Sequence, residues 1–426
     1  MKLESFWLDT APTFNGAEEG PVDGRADVAI IGGGFTGLST ALALAKRGAT
    51  VVVLEAGRLV GEASGRNGGQ CNAGTLQDYR SLVDSFGVER ARRYYQEFTA
   101  AVDSVERLAS EEHIDCDFNR RGKLKLASKP AHFNKMVQTF DALQADGVDP
   151  NVELLSPDCM RDEIGSNDYH GGLLQTTSAQ LHVGKFGSGL AEAAARRGVR
   201  LYESAPVTGL HRQSGGAWRI TTPRGSVDAA QTLIATGGSG SGPFGWFRRR
   251  IIPVGSFIVV TEPLGAERLG RLLPNRRSYV TSNNIGNYFR VTEDNRLLFG
   301  GRARFAMSNV KSDRESGYIL RDSLVRAFPE FADVRIDYCW GGSVDMSADR
   351  MPHAGQHKGL YYSMGYSGHG VQMAVHMGQV MTDMIDGNEH ANPWGELKWP
   401  PIPGHFGKPW FLPAVGAYYR IKDFLY

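Results

Sequence analysis

Gly32, Gly34 and Gly37 follow an apolar run at residues 28–31, and a carboxylate, Glu55, ends a second apolar run at residues 51–54. In this order the residues can hold a phosphorylated nucleotide. The glycines give a tight turn, close backbone approach to a pyrophosphate and close helix packing, while the carboxylate accepts the hydroxyls of a ribose. Phosphate oxygens would meet the start of the following helix, where backbone N–H groups lack partners and the dipole end is positive. An acid at position 55 disfavours a 2′-phosphate and leaves FAD or NAD.

Two further glycine clusters follow, one directly after Glu55 and one late in the chain. Residues 56–70 contain Ala63-Ser-Gly-Arg-Asn-Gly-Gly69, a loop too long to be an idle connection in a compact domain. Gly365-Tyr-Ser-Gly-His-Gly370 lies between an apolar run at 360–364 and the helix-spaced set Val371, Ala374, Val375, Gly378, Met381 and Ile385. N–H groups of Gly368, His369, Gly370 and Val371, backed by a helix dipole, would favour negative charge on a ligand. His369 either adds positive charge there or caps the turn through hydrogen bonds.

The elements that must carry these turns are legible in the periodicity. Leu38, Ala41, Leu42 and Ala45 recur at helical spacing before Gly48, so residues 27–55 form a strand–helix–strand unit. Residues 88–111 predict a long amphipathic helix with Ala91, Tyr94, Tyr95, Phe98, Val102, Val105 and Leu108 on its inner face. Leu124 and Leu126 alternate within 116–127, which suggests strands of a different layer. A second helix–strand stretch begins at Gln180, residues 232–238 read as a short buried strand with a glycine turn, and residues 251–336 read as mostly antiparallel sheet. The tail from Asn392, rich in Pro and Trp without a clear period, is expected to wrap over the surface. The expected fold class is α/β: a discontinuous Rossmann-like nucleotide domain (1–115, 180–245 and 345–426) plus an α+β substrate domain with a mostly antiparallel sheet (116–179 and 246–344).

Composition narrows the function classes. The 47 Lys+Arg nearly balance the 46 Asp+Glu, so no global field favours nucleic acid. No apolar stretch reaches bilayer length, and the N-terminus lacks the order of a signal peptide, so a cytoplasmic protein with no membrane span is expected. Cys71, Cys116, Cys159 and Cys339 are scattered without paired metal spacing. No metal site is expected.

Together, Gly32-Gly-Gly-Phe-Thr-Gly37 with Glu55, the 63–69 loop, Ala235-Thr-Gly237, Asp349-Arg-Met-Pro-His-Ala-Gly355 and Tyr366-Ser-Gly-His-Gly370 resemble the D-amino-acid-oxidase superfamily of FAD enzymes. The Ser-Gly-Arg-Asn-Gly-Gly loop and Trp340-Gly-Gly342 are most similar to γ-glutamylputrescine oxidases, and the 366–370 turn is similar to sarcosine oxidases. The resemblance implies FAD, with contacts expected from Gly32, Gly34, Phe35, Thr36 and Gly37, and from Glu55 and Ala56. Further contacts are expected from Ser64, Gly65, Arg66, Asn67, Gly68 and Gly69 beside the flavin, from Val207 flanking the adenine, and from Ala235, Thr236 and Gly237. Gly368, His369, Gly370, Val371 and Gln372 complete the set. Where sarcosine oxidases attach flavin through a cysteine, this chain has Gly342 by ungapped spacing, with Cys339 three residues away, so FAD is expected to be non-covalent. Val344 stands where amino-acid oxidases of this group place an arginine for the substrate carboxylate.

The activity implied is oxidation of an amine by hydride transfer to flavin, leaving an imine that water hydrolyses. A γ-glutamylputrescine-type amine would give aldehyde, ammonia and hydrogen peroxide, within polyamine catabolism. His369, Tyr366, Gln372, Trp340 and Tyr288 are the candidate catalytic residues. Tyr288, Trp340 and Tyr366 form a possible aromatic cage for an amine, with packing in the sheet domain as the alternative for each. Gln372 takes the place of a lysine that sarcosine oxidases carry after the turn, and Arg66 points to the flavin, to a substrate carboxylate or to solvent. Leu298 stands where sarcosine oxidases carry the lysine that promotes oxygen reduction, so molecular oxygen and another electron acceptor both stay open, as does the oligomeric state. The alternatives are a secondary amino acid such as an N-substituted glycine as substrate, a flavin-binding subunit, or an RNA-modification module; the neutral charge argues against the last.

Overall fold

The computed structural model describes residues 1–238, 242–301, 308–407 and 409–425. Its first sheet runs in the order His353–His357, Leu360–Met364, Gly225–Ile234, Arg25–Ile31, Val51–Leu54 and Arg200–Tyr202, with Trp218–Thr222 and Gly209–Arg212 extending it antiparallel from Gly225–Ile234. The four inner pairings are parallel, from Leu360–Met364 across to Arg200–Tyr202. Such strands are covered on both faces, which is why residues 28–31 and 51–54 read as unbroken apolar runs. Val28, Ile30, Val51 and Val53 face one buried cluster, and Ala29, Ile31, Val52 and Leu54 face another. The helices Phe35–Lys46, Val183–Arg196 and Gly370–Ile385 contribute to the first cluster. Phe244, Phe247 and Trp218 fill the second.

The second sheet runs Ile336–Met346, Ile252–Thr261, Leu297–Gly301, Asn287–Val291, Ser278–Thr281, Lys123–Leu126, Gly172–Gln175 and Val152–Leu155. All its pairings are antiparallel except Lys123–Leu126 with Ser278–Thr281. One face packs Leu124, Leu126, Phe257, Tyr279, Phe289 and Phe299 under the helix Val310–Ala327, whose Leu320 and Leu324 are buried. Tyr279, Phe289 and Phe299 stack across neighbouring strands with centroids 5.1 and 5.5 Å apart. The other face turns toward the first sheet and leaves a cavity between them.

Three local features differ from the sequence reading. Residues 63–66 form one short helical turn inside the glycine-rich loop. The stretch 251–336 includes the helix Val310–Ala327, started by a capping box in which Asn309 accepts from the Lys311 and Ser312 N–H groups. The tail ends in a helix, Leu412–Leu425, where a surface wrap was expected. Asp423 on that helix accepts the N–H groups of Asn284 (2.9 Å) and Ile285 (2.8 Å), which fixes it against the turn after Ser278–Thr281. No helix among the described residues is long and apolar enough to cross a membrane.

Candidate active site

The turn after Arg25–Ile31 is held by contacts that leave no room for side chains. Gly32 has φ +111°, and a methyl there would meet the Ala235 carbonyl oxygen at 2.5 Å; one on Gly37 would run into the Gly32 carbonyl oxygen. Glu55 stands at the end of the next strand, and its carboxylate accepts N–H groups from Gly33 (2.7 Å) and Gly57 (2.8 Å). Burial pushes its pKa up, opposed by those same N–H groups. Each oxygen keeps acceptor capacity for a ribose hydroxyl.

The 64–69 loop is pinned from outside. Its successive carbonyls at Gly65, Arg66 and Asn67 accept from Ser5 Oγ (2.7 Å), Trp340 Nε1 (2.9 Å) and Trp7 Nε1 (2.7 Å). Asn67 Oδ1 accepts the Gly69 N–H at 2.8 Å, and Ser64 Oγ accepts the Phe35 N–H at 3.0 Å, tying the loop to the glycine turn. Arg66 reaches the Gly341 carbonyl through Nε at 2.7 Å.

A cavity of about 1090 Å³ joins these parts. It exceeds the roughly 300–1,000 Å³ of ordinary small-molecule pockets, as a dinucleotide with a second ligand would require. Gly32, Gly34, Phe35, Thr36, Glu55, Ala56, Ser64, Arg66, Asn67 and Gly68 line it, with Val207, Ala235, Thr236, Gly237, Tyr288, Tyr366, Gly368, His369, Gly370 and Val371. Gly37, Gly65 and Gly69 stand behind the lining and shape the turns.

At the 365–370 turn the N–H groups of Gly368, Gly370 and Val371 have no hydrogen bond among the described residues, whereas that of His369 donates to the Tyr366 carbonyl at 2.9 Å. The expected donor set therefore loses one member to the turn itself. Burial pushes His369 down to about 3, which disfavours a charged ring there. Among the described residues its Nδ1 has no hydrogen bond, and its ring and that of Phe98 pack at a right angle with centroids 5.3 Å apart.

The remaining candidates divide. The Tyr288 ring lines the cavity over Gly68, with its hydroxyl 3.0 Å from Ser256 Oγ. The Tyr366 hydroxyl lies 2.8 Å from both Thr36 Oγ1 and Ser363 Oγ, so it bridges turn and strand. Trp340 is fully buried outside the lining, because its indole N–H is turned to the Arg66 carbonyl; it supports the loop and takes no part in an aromatic wall. Gln372 is likewise buried behind the lining, where its Nε2 donates to the Asn72 carbonyl at 2.5 Å.

Sequence reasoning missed three groups in the wall. Asp345 Oδ2 accepts the Gly365 N–H at 2.7 Å, and burial raises this carboxyl to about 6. Lys123, pushed down by burial to about 7, donates to the Ala73 carbonyl at 2.9 Å, and Lys125 follows it on the same strand face. Leu412, Val415 and Tyr419 from the tail helix complete one side.

The glycine turns, the ribose-ready carboxylate and the open N–H groups converge on one cavity, and the chain matches the DAO family, described as FAD dependent oxidoreductase, over residues 27–384. The chain belongs to the DAO family. It is a FAD-dependent oxidoreductase acting on amines or amino acids. It is 31% identical over 407 residues to the gamma-glutamylputrescine oxidoreductase of Escherichia coli, covering 93% of this chain and 92% of that one. It is 26% identical to the sarcosine oxidase subunit beta of Rhodobacter capsulatus over 379 residues, covering 85% of each. Among solved structures, the glycine oxidase of Geobacillus kaustophilus superposes with a TM-score of 0.75 at 21% identity, over 90% of this chain and 100% of that one, which shows the shared fold.

The residues present fit FAD. The glycine cradle, Glu55 and the N–H groups of Gly368, Gly370 and Val371 supply what a pyrophosphate, a ribose and an anionic ring edge need.

Proposed function

We propose that this DAO-family member oxidises the terminal amine of a γ-glutamylputrescine-type compound, releasing aldehyde and ammonia, in polyamine breakdown. The observation that carries this reading is the 31% identity to gamma-glutamylputrescine oxidoreductase across nine-tenths of both chains. Bound FAD supplies the two-electron acceptor for the hydride leaving the carbon beside nitrogen. The chain's residues do the rest. Glu55 and the glycine turns bind the dinucleotide, and the 64–69 loop, pinned by Ser5, Trp7 and Trp340, keeps its flavin side in place. The open N–H groups at Gly368, Gly370 and Val371 favour negative charge on the ring edge.

An alkyl ammonium has a pKa of about 10 by analogy with lysine and must lose a proton before it can donate hydride. A cavity walled by Tyr288, Tyr366 and Val344 disfavours the charged form. Lys123, lowered to about 7 by burial, stands in the same wall as an acceptor for that proton. His369 stands in the same wall, its ring kept neutral by burial.

The test is anaerobic mixing of the yellow protein with γ-glutamylputrescine, putrescine and sarcosine, following the loss of flavin absorbance. Fast bleaching by γ-glutamylputrescine supports the proposal, and faster bleaching by sarcosine replaces it with the secondary-amino-acid reading. Readmitting air and measuring peroxide separates oxidase from dehydrogenase.

A further inference from the structure

The cavity wall is electrically uneven. Its acids are Glu55, Glu62 and Asp345; Glu55 and Glu62 stand at the ribose side, and Asp345 is engaged by the Gly365 N–H. Its cations include Arg66, Arg350, Lys123 and Lys125. Three of them have partners: Arg66 Nε on the Gly341 carbonyl, Arg350 Nη2 on the Tyr419 hydroxyl at 3.3 Å, and Lys123 Nζ on the Ala73 carbonyl. Lys125 has no hydrogen bond or ion pair among the described residues. The one carboxylate whose field reaches it is Asp78, whose oxygens accept the N–H and Oγ–H of Ser81. Burial pushes this amine down with only Asp78 in opposition, and an anion on the ligand beside it would favour its charged form.

A second observation lies next to it. Lys125 pairs in register with Val280 and Leu126 with Thr281, and the Ser282 N–H continues the ladder to the Leu126 carbonyl at 3.0 Å. The chain then turns at Asn283, whose Oδ1 is a buried acceptor without a partner and which lines the same cavity. An unmatched cation and an unmatched acceptor thus belong to one cavity wall, on neighbouring segments. Lys123, whose field reaches His369, lies about 7 Å back along the strand.

We propose that this end of the cavity takes the α-carboxylate of an amino-acid head group, held on Lys125 Nζ. Resting on the function proposed above, this places the carboxylate remote from the oxidised carbon and makes Lys125 the residue that tells γ-glutamylated amines from free amines.

The test uses FAD-loaded protein, kept anaerobic, and two probes without the putrescine amine: γ-glutamylethylamide, and its twin lacking the α-carboxylate, N-ethyl-4-aminobutanamide. Binding is read by calorimetry and by perturbation of the flavin spectrum. Wild-type protein should bind the first probe more tightly, and Lys125→Met should weaken it roughly 10- to 100-fold, the worth of one charge-assisted hydrogen bond. Lys125→Arg should restore most of the loss, and unchanged flavin content and melting temperature certify the fold of both variants. Equal affinity of the two probes for wild type, no measurable binding of γ-glutamylethylamide, or no change in Lys125→Met overturns the proposal. Selective head-group binding without bleaching by γ-glutamylputrescine would instead overturn the proposed reaction and leave the subsite standing.

Discussion

Protonation of the buried His182 should weaken both acid stability and cofactor retention. His182 caps the helix Val183–Arg196, its Nδ1 accepting the Lys185 N–H at 3.1 Å. Nε2 therefore carries the proton and donates to Thr10 Oγ1 at 3.0 Å, and Thr10 in turn donates to the Phe6 carbonyl at 2.6 Å. A second proton on the ring would displace the cap. Burial, with Lys185 and Arg290 nearby and Asp117 in partial opposition, pushes the ring down to about 4. In the unfolded chain histidine titrates at about 6.5, so the unfolded state binds the proton first. Stability from this group is complete above pH 6.5, falls as pH drops toward 4, and levels off below. The gap is worth about 3 kcal/mol at ~1.4 kcal/mol per pH unit, a substantial part of the roughly 5–15 kcal/mol that holds a domain folded.

The check is urea unfolding at pH 7.5 and 4.5 for wild type and His182→Gln, with released flavin followed by its fluorescence. Between those pH values wild type should lose about 2–3 kcal/mol more than the variant. The helix Phe6–Thr10 carries Trp7, which pins the 64–69 loop, so flavin release should move to lower pH in the variant as well. Parallel pH dependence of the two proteins would refute the assignment of His182 as the group responsible.

Other perturbations read other links. Glu55→Ala strands the N–H groups of Gly33 and Gly57 and removes the ribose acceptor; flavin affinity of the apoprotein should fall at least ~10–100-fold by fluorescence titration. Unchanged occupancy would mean the ribose is held elsewhere. Gly37→Ala sets a methyl against the Gly32 carbonyl and should cost about 1–3 kcal/mol or more in thermal unfolding, with loss of bound flavin. Acid precipitation should release all yellow colour, because no cysteine lines the cavity and Cys339, pushed up to about 12 by burial, is not a thiolate; colour kept in the pellet would disprove non-covalent attachment. In the pH profile of kcat/KM, activity should rise through pH 7 as Lys123 becomes neutral, and Lys123→Met should flatten that limb.

How much of this was written in the sequence depends on whether a residue's role is local. The nucleotide cradle was legible because turn, helix start and carboxylate all lie within residues 27–55, and the chemistry needs them at fixed spacing. The tail helix escaped because Pro and Trp residues dominate the segment before it, although Leu412, Val415 and Tyr419 keep the i, i+3, i+7 spacing of one helix face. Trp340 misled for the opposite reason: an aromatic beside a glycine pair on a strand is equally suited to wall and to support, and only the Arg66 carbonyl, far off in sequence, decides for support.

Lys123 and Lys125 show where a sequence pattern points away from function. Lys-Leu-Lys-Leu is the alternation of a strand with one apolar face and one wet one, and Leu124 and Leu126 do enter a core. The polar face of such a strand is ordinarily solvated, which makes its lysines unremarked. Here the rest of the wall is supplied by chain far away in sequence, the 365–370 turn and the 282–287 segment among it, so the wet face is enclosed and its charges become expensive unless a ligand meets them. Spacing along one strand cannot report which distant segment closes over it, yet that closure turns a solvated lysine into a reader of carboxylate.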